Sequence, residues 1–193
     1  LLESRGLGDV YKRQVRCCTQ NGVRGGSATV HFPIWHQEIE DILVLKNNKG
    51  TEDNRVRKLD YSIQISKLFY ERFIKNEDIT LFSPNNTPGL YEAFGMPEFD
   101  ELYLKYEKDK SIPKSTIGAQ ELFMDLLKER AETGRIYIMN IDHCNTHSSF
   151  KDKVYMSNLC QEITLPTTPI QHIDDKEGEI ALCILSAINL GLL

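Results

Sequence analysis

Residues 116–141 read TIGAQELFMDLLKERAETGRIYIMNI, and this stretch decides the fold class. The part at 116–133 predicts a helix, and Gly134 stands where a glycine commonly ends one, because it adopts a left-handed backbone without steric cost. The RIYIMNI that follows is rich in β-branched and aromatic residues, which predicts a strand. Strands that alternate with helices point to an α/β architecture.

The same alternation extends along the chain in both directions. Strands are predicted at 27–34 (SATVHFPI), 78–84 (DITLFSP), 157–165 (SNLCQEITL) and 179–190 (EIALCILSAINL). Helices are predicted at 36–48 with a stop at Gly50, at 57–75, from Thr87-Pro88 to Gly95, and at 99–109. The segment 57–75 is interpreted as one amphipathic helix, because Leu59, Ile63, Leu68, Phe69 and Phe73 recur at near-helical spacing.

Composition limits the class of protein. The 193 residues are 40% hydrophobic and 26% charged, as in ordinary soluble domains, and the net charge of −5 argues against a duplex nucleic-acid partner. No apolar run is long enough for a membrane span, and the N-terminus lacks the apolar core of a secretory signal. Five cysteines at irregular spacing do not form a secreted disulfide framework, so a cytoplasmic protein with working thiols is expected.

Both ends of the chain carry information about its origin. Residues 1–14, which contain GDVYKRQ, look like a translated sequencing adapter and are predicted to lie outside the fold. The other end, IALCILSAINLGLL, stops inside an apolar run. Residues 15–193 are therefore expected to be a fragment of one domain, truncated at both ends.

The segment SNLCQEI at 157–163 concentrates chemistry. If it is extended, Asn158, Cys160 and Glu162 point to the same face, which then carries an amide, a thiol and a carboxylate. Buried polar groups need partners, so this combination suits a site that faces a polar ligand, and sulfur can also carry a radical. The alternative is that Cys160 is an inert small hydrophobe, as most buried cysteines are. Cys183, in IALCILS, is interpreted as a core cysteine unless it pairs with another thiol.

Two further motifs have functional and structural interpretations. His143, Cys144 and His147 in DHCNTH are metal-ligand types, but no second cluster completes a four-ligand site, so a polar turn without a metal is predicted. CCTQNGVRGG is not a phosphate-binding P-loop, since no Gly-Lys-Ser/Thr follows. Its glycines could let the backbone approach a nucleotide, with Gln20 and Arg24 at a base edge, but its composition favours a surface loop.

Taken together, the chain from about Val15 to Leu190 resembles the large catalytic subunit of aerobic class I ribonucleotide reductase. The stretches that carry the resemblance are NGVRGGSATVHFPIWHQEIEDILVLKNNKG, NRVRKLDYSIQISKLFYERF, EDITLFSP, TGRIYIMNIDHCNTH, SNLCQEI and GEIALCILSAINLG. The resemblance implies an α/β barrel of ten strands in two five-stranded halves. A finger loop that carries the radical cysteine would run through its middle.

The resemblance also implies a role for each site residue. Cys160 would become a thiyl and take hydrogen from C3′ of a ribonucleoside diphosphate, Glu162 would be the general base, and Asn158 would hold the ribose hydroxyls. Cys183 would be one half of a redox-active dithiol whose partner lies upstream of this chain. The specificity loop, which links an effector site to substrate choice, would comprise Cys18, Thr19, Gln20, Asn21, Gly22, Val23, Arg24, Gly25, Gly26 and Ser27.

The implied partners are those of the family. The chain itself would bind no metal or other cofactor, and a diiron-tyrosyl small subunit would supply the radical. ATP and deoxynucleotides would be effectors of the complete protein, thioredoxin or glutaredoxin its reductant, and a homodimer its assembly. The family's paired radical-path tyrosines would lie downstream, so the isolated chain is expected to be inactive. Two alternatives stay open: a cobalamin-dependent reductase with the same thiyl chemistry, and a nucleotide- or metal-binding module without catalysis.

Overall fold

A three-stranded parallel sheet is the centre of the structure, a computed structural model that describes residues 14–15, 17–19, 21–47 and 59–192. Its strands are β1 (Ala28–Pro33), β2 (Leu59–Ile65) and β5 (Tyr137–Asn140), in the order β1-β2-β5. The register places His31 beside Ser62 and Ser62 beside Tyr137. These three residues therefore form one row across the sheet.

The remaining elements surround this sheet. Strands β3 (Asp78–Phe82) and β4 (Lys114–Gly118) pair in antiparallel fashion. The helices are α1 (Ile39–Leu43), α2 (Lys67–Lys75), α3 (Leu90–Ala93), α4 (Phe99–Lys108), α5 (Ala119–Thr133) and α6 (Ile141–Thr146). Short 3-10 turns cover Val44–Lys46, Pro84–Asn86 and Leu190–Leu192. The α/β class predicted from the sequence is confirmed.

Strand β2 corrects the prediction of a single helix over 57–75. Its residues Leu59, Tyr61, Ile63 and Ile65 are buried on one face, whereas the residues between them are polar. This strict alternation has the period of a strand, and the helix begins only at Lys67. Strand β2 pairs with β1 on one side and with β5 on the other, and this pairing stabilises the strand relative to a helix.

The apolar face of the sheet packs against the helices to form the core. Fully buried large side chains include Trp35, Ile39, Ile63, Phe69, Phe82, Leu90, Tyr103 and Leu122. The hydroxyl of Tyr103 accepts a hydrogen bond from the Thr80 amide at 2.8 Å and donates one to the Thr80 carbonyl at 2.6 Å. The antiparallel pair and α4 are thereby held together without an unsatisfied buried hydroxyl.

Other predicted elements agree with the structure to different degrees. The strands at 27–34, 78–84 and in RIYIMNI, and the helix at 99–109, are confirmed, and Gly134 ends α5 with a φ of +64°. The helix at 116–133 is right only from Ala119, because the residues before it pair with β3. The helix predicted at 36–48 is shorter and continues as a 3-10 turn, and its predicted stop, Gly50, lies outside the described residues. The helix predicted from Thr87 is one turn, α3.

The two strands predicted nearest the C-terminus are wrong. Residues 157–165 form a closed loop, and 179–190 form no strand beyond an isolated bridge between Thr168 and Glu179. A strand needs a hydrogen-bonded neighbour, and within the described residues the 180–190 segment has none. Of the predicted adapter segment, 1–14, only Gln14 lies within the described residues.

We expect the segment 180–190 to make the chain prone to aggregation, because Ile180, Leu182, Ile184, Leu185, Ile188 and Leu190 are between 67% and 94% exposed. Ile184→Ser should raise the concentration at which the chain aggregates, measured by light scattering. Ile74→Ser is the matched control, since Ile74 is 79% exposed but stands alone on α2. Equal effects of the two substitutions would contradict the prediction.

Candidate active site

The second face of the sheet is polar and lies beneath the loop that contains Cys160. We call this face, made of Thr29, His31, Ser62 and Gln64, the polar face, and residues 155–163 the cysteine loop. Ser62 and Gln64 are almost completely buried although both are polar. Buried polar groups require partners, and the loop supplies them to the Ser62 hydroxyl and to Gln64 Nε2. Gln64 Oε1 and His31 Nδ1 are buried without a hydrogen-bond partner among the described residues.

Alternate backbone carbonyls of the cysteine loop accept hydrogen bonds from the polar face. Gln64 Nε2 donates to the carbonyl of Tyr155 at 2.5 Å, and Thr29 Oγ1 donates to the carbonyl of Leu159 at 2.6 Å. Between them, His31 Nε2 lies 3.1 Å from the carbonyl oxygen of Ser157. The two-residue spacing along the loop matches an extended backbone, so its first half runs over strands β1 and β2 with one edge facing them.

The second half of the loop turns back on itself. The Asn158 amide donates to the carbonyl of Ile163 at 3.3 Å, and the Ile163 amide donates to Asn158 Oδ1 at 2.9 Å. Ser157 Oγ also donates to the Ile163 carbonyl, at 2.6 Å. Gln161 adopts a left-handed backbone with a φ of +66°. The expectation of an extended segment is therefore wrong, because these bonds close 158–163 into a turn.

The thiol and the carboxylate stand at the tip of this turn. Cys160 and Glu162 are exposed, and Asn158 is half-buried beside them. Partial burial and the proximity of Cys160 and Asp60 raise the pKa of Tyr137, so this β5 residue lies near the Cys160 thiol. The thiol is thus held outside the apolar core, in a polar environment on the sheet, and the reading of Cys160 as a packed core hydrophobe does not describe it.

The electrostatics of the polar face favour a neutral imidazole. Burial lowers the pKa of His31, and the hydrogen bond to the Ser157 carbonyl offsets only part of that effect. A neutral ring next to the loop avoids placing a buried cation in the sheet. The sheet face beneath the cysteine loop therefore carries no positive charge at His31.

The other predicted site residues, Cys183 and those of the specificity loop, do not belong to the cysteine loop. Cys183 is exposed within the irregular 180–190 segment, and all the cysteines are free thiols in the part of the chain that the structure describes. Gln20 lies outside the described residues. The described part of the predicted specificity loop is exposed around Arg24, with left-handed backbones at Asn21 and Gly22.

Gly26 has a specific structural reason to be glycine. A Cβ atom at this position would lie 2.3 Å from the carbonyl oxygens of both Val15 and Cys18. Such contacts are shorter than any real Cβ tolerates, so the loop could not close against these carbonyls with a larger residue. In contrast, a Cβ at Gly25 would meet nothing within 4 Å.

The predicted polar turn at DHCNTH is instead the short helix α6, which ends just before His147, and the rings of His143 and His147 lie 5.2 Å apart. The pattern His-x-x-x-His fits one helical turn, which explains the difference. Among the described residues, no group of three or more histidine, cysteine or acidic side chains is arranged to hold a metal ion. In the same part of the chain, no helix combines the length and apolar character that crossing a bilayer requires.

Comparison with known proteins defines the class. Residues 6–193 match the family profile of the ribonucleotide reductase barrel domain, so the chain belongs to the ribonucleotide reductase family. The open parallel sheet with its covering helices is consistent with part of a barrel.

Individual relatives carry a more specific name. The chain is 60% identical to the ribonucleoside-diphosphate reductase subunit alpha of Haemophilus influenzae, over 94% of the chain and 25% of that protein. It is 58% identical to subunit alpha of ribonucleoside-diphosphate reductase 1 of Escherichia coli, over 83% and 22%, and 47% identical to the subunit alpha of phage T4, over 93% and 24%. The chain spans about a quarter of the length of these curated relatives.

Sequence reasoning missed the polar face. The signal was present in LDYSIQIS, where every second residue is polar, and in ATVHF, where Thr29 and His31 alternate with apolar residues. Alternation over eight residues is stronger evidence for a strand than irregular three-to-five spacing is for a helix. The sequence could not predict that a loop covers this polar face, because the contacts involved join residues that lie about a hundred positions apart in the sequence.

Removing one bond of the polar face should loosen the cysteine loop. Thr29→Val keeps the side-chain shape but deletes the donor to the Leu159 carbonyl, which costs ~1 kcal/mol. In a complete alpha subunit that carries this sequence, hydrogen exchange of peptides covering 155–163 should become about fivefold faster. Thr133→Val is the matched control, since its hydroxyl donates to the Glu129 carbonyl within α5. Exchange at 155–163 that is unchanged by Thr29→Val would refute the role of this bond.

Proposed function

We propose that this chain forms the part of a ribonucleoside-diphosphate reductase alpha subunit that carries the radical cysteine and reduces ribonucleoside diphosphates to 2′-deoxyribonucleoside diphosphates for DNA synthesis. The observation that carries the proposal is the exposed Cys160 and Glu162 at the tip of a loop that the sheet holds by side-chain bonds. The names of the relatives, all ribonucleoside-diphosphate reductases, support it. The proposal takes residues 15–193 as barrel sequence and residues 1–14 as adapter-derived.

The proposed reaction begins and ends at Cys160. The Cys160 thiyl takes the hydrogen atom from C3′, which leaves a thiol on the protein and a radical on the sugar. Glu162 accepts the proton of the 3′-hydroxyl, and the 2′-hydroxyl takes a proton from a dithiol that includes Cys183 and leaves as water. The dithiol supplies two electrons and its second hydrogen to C2′ and becomes a disulfide, and Glu162 returns its proton to the 3′-oxygen. The hydrogen then returns from Cys160 to C3′, which regenerates the thiyl.

The loop geometry supports these roles. Because Glu162 is two residues from Cys160 across the left-handed Gln161, a sugar bound at the tip can meet both groups at once. Asn158 Oδ1 is engaged by the Ile163 amide, which fixes the orientation of its carboxamide beside the ribose. Tyr137 of β5 lies near the thiol and contributes to its polar surroundings.

The partners follow from the proposal. The designation alpha in the names of the relatives implies a further subunit, and we propose that it is a diiron-tyrosyl small subunit that supplies the radical. ATP and deoxynucleotides would act as effectors of the complete protein, and thioredoxin or glutaredoxin would reduce the disulfide. A homodimer of alpha subunits in the cytoplasm completes the proposed assembly, and the 193-residue chain alone is proposed to be inactive.

The central test is the thiol. In the complete alpha subunit, Cys160→Ser should lower reduction of ribonucleoside diphosphates by more than ~10³-fold, because a hydroxyl cannot carry the radical in place of sulfur. Nucleotide binding, measured by calorimetry, should stay within about twofold of the wild type. Cys144→Ser, a half-buried thiol on α6, is the matched control and should keep its activity. Turnover retained by Cys160→Ser would refute the proposed function.

The proposed specificity loop has its own test. Gly26→Ala should displace the loop, because its Cβ would collide with the carbonyls of Val15 and Cys18. The change in substrate preference that each effector causes should then be at least about tenfold smaller than in the wild type, which corresponds to ~1.4 kcal/mol of lost coupling. The measurement is the ratio of kcat/KM values with each effector. Gly25→Ala is the control, and a loop variant with normal effector response would contradict the assignment.

A further inference from the structure

Gln161, the residue between the proposed radical cysteine and the proposed base, makes contacts that neither role requires. Its side-chain Oε1 accepts a hydrogen bond from Ser62 Oγ at 2.6 Å, and its Nε2 donates to the carbonyl of Ile138 at 2.7 Å. Ser62 belongs to β2 and Ile138 to β5. Both ends of one carboxamide are thus used, and they connect the tip of the cysteine loop to two adjacent strands.

The backbone of Gln161 adds a second observation. Its φ of +66° is a conformation that residues with a Cβ rarely adopt, and glycine would adopt it at lower cost. A glycine here, however, could not reach Ser62 or Ile138. The side-chain bonds, together with the bond from the Gln161 amide to the Asn158 carbonyl at 3.2 Å, hold the turn in this strained geometry.

Burial strengthens the anchor. Ser62 is fully buried in the middle strand, so its hydroxyl needs a partner within the protein, and Gln161 is that partner. The anchor is directional, because a carboxamide must present its oxygen to the hydroxyl and its nitrogen to the carbonyl. The peptide units on either side of Gln161, which lead to Cys160 and Glu162, are fixed by the same contacts.

We propose that Gln161, anchored by Ser62 and the Ile138 carbonyl, is a positioning residue that sets where the Cys160 sulfur and the Glu162 carboxylate stand relative to the sugar. The proposal rests on the proposed reductase function. Gln161 does not react itself; it holds a left-handed turn so that both neighbours face the same ligand. Displacement of a reacting group by about 1 Å can slow a reaction on the order of 100-fold, so an anchor of this kind affects rate more than binding.

The test uses Gln161→Leu in the complete alpha subunit with its small subunit. Leucine has similar volume but makes neither hydrogen bond, so kcat should fall about 10- to 100-fold while KM changes less than about threefold. With substrate deuterated at C3′, the isotope effect on kcat should increase, because a misplaced sulfur makes hydrogen abstraction more rate-limiting. A merely structural role would not change the isotope effect.

Ser62→Ala and the double variant make the test specific. Ser62→Ala should have a smaller effect than Gln161→Leu, because the bond to Ile138 stays. The double variant should be no worse than Gln161→Leu, because the two residues act through one bond. Gln120→Leu is the matched control, since its Nε2 donates to the Phe73 carbonyl at 3.0 Å far from the loop, and it should leave kcat and the isotope effect unchanged.

Each outcome decides between the proposals. A wild-type kcat and isotope effect in Gln161→Leu would overturn the positioning role while leaving the function, tested by Cys160→Ser, intact. If Gln161→Leu does not fold, the isotope effect of Ser62→Ala decides instead, and an unchanged value there overturns the role. If the wild-type subunit does not reduce ribonucleoside diphosphates, the proposed function and the positioning role both fail.

Discussion

The structure depends on the match between a polar sheet face and the backbone of one loop. A parallel sheet normally has both faces covered by apolar contacts, so strands with every second residue polar need a different covering layer. Here the covering layer is the cysteine loop, whose carbonyls accept hydrogen bonds from Thr29, His31 and Gln64. Sheet and loop therefore stabilise each other, because the loop provides the hydrogen-bond partners of the buried Ser62 hydroxyl and of Gln64 Nε2.

This arrangement explains how the thiol that we propose to react can be both accessible and fixed. Exposed loops are usually flexible, because few contacts restrain them. The cysteine loop is restrained by bonds at 155, 157, 159 and 161 to side chains or backbone of rigid strands. The exposed Cys160 at its tip is thus held in place through the sheet, as the proposed hydrogen transfer between sulfur and carbon requires.

Part of the fold was readable from local patterns, and the reason is the same in each case. Helices α4 and α5 and strand β3 were predicted because their apolar residues follow one period and their ends carry recognisable stop residues such as Gly134. Strand β2 was misread because two periods overlap across Leu59–Ile65 and the helix that follows it. The residues 157–163 were misread as extended because turn formation depends on the Asn158–Ile163 pair, and apolar flanks give no sign of it.

The sequence by itself determined the α/β class, the family and the residues that carry the proposed chemistry, because residue types and motif order need no coordinates. Only the tertiary structure decided that Asn158, Cys160 and Glu162 lie on a turn, that the turn rests on a polar sheet face, and that Gln161 reaches Ser62 across 99 positions. Such contacts join residues with no shared local pattern. They arise from the crossing of chain segments in space, and hydrogen-bond partners chosen in that way leave no periodic trace in the sequence.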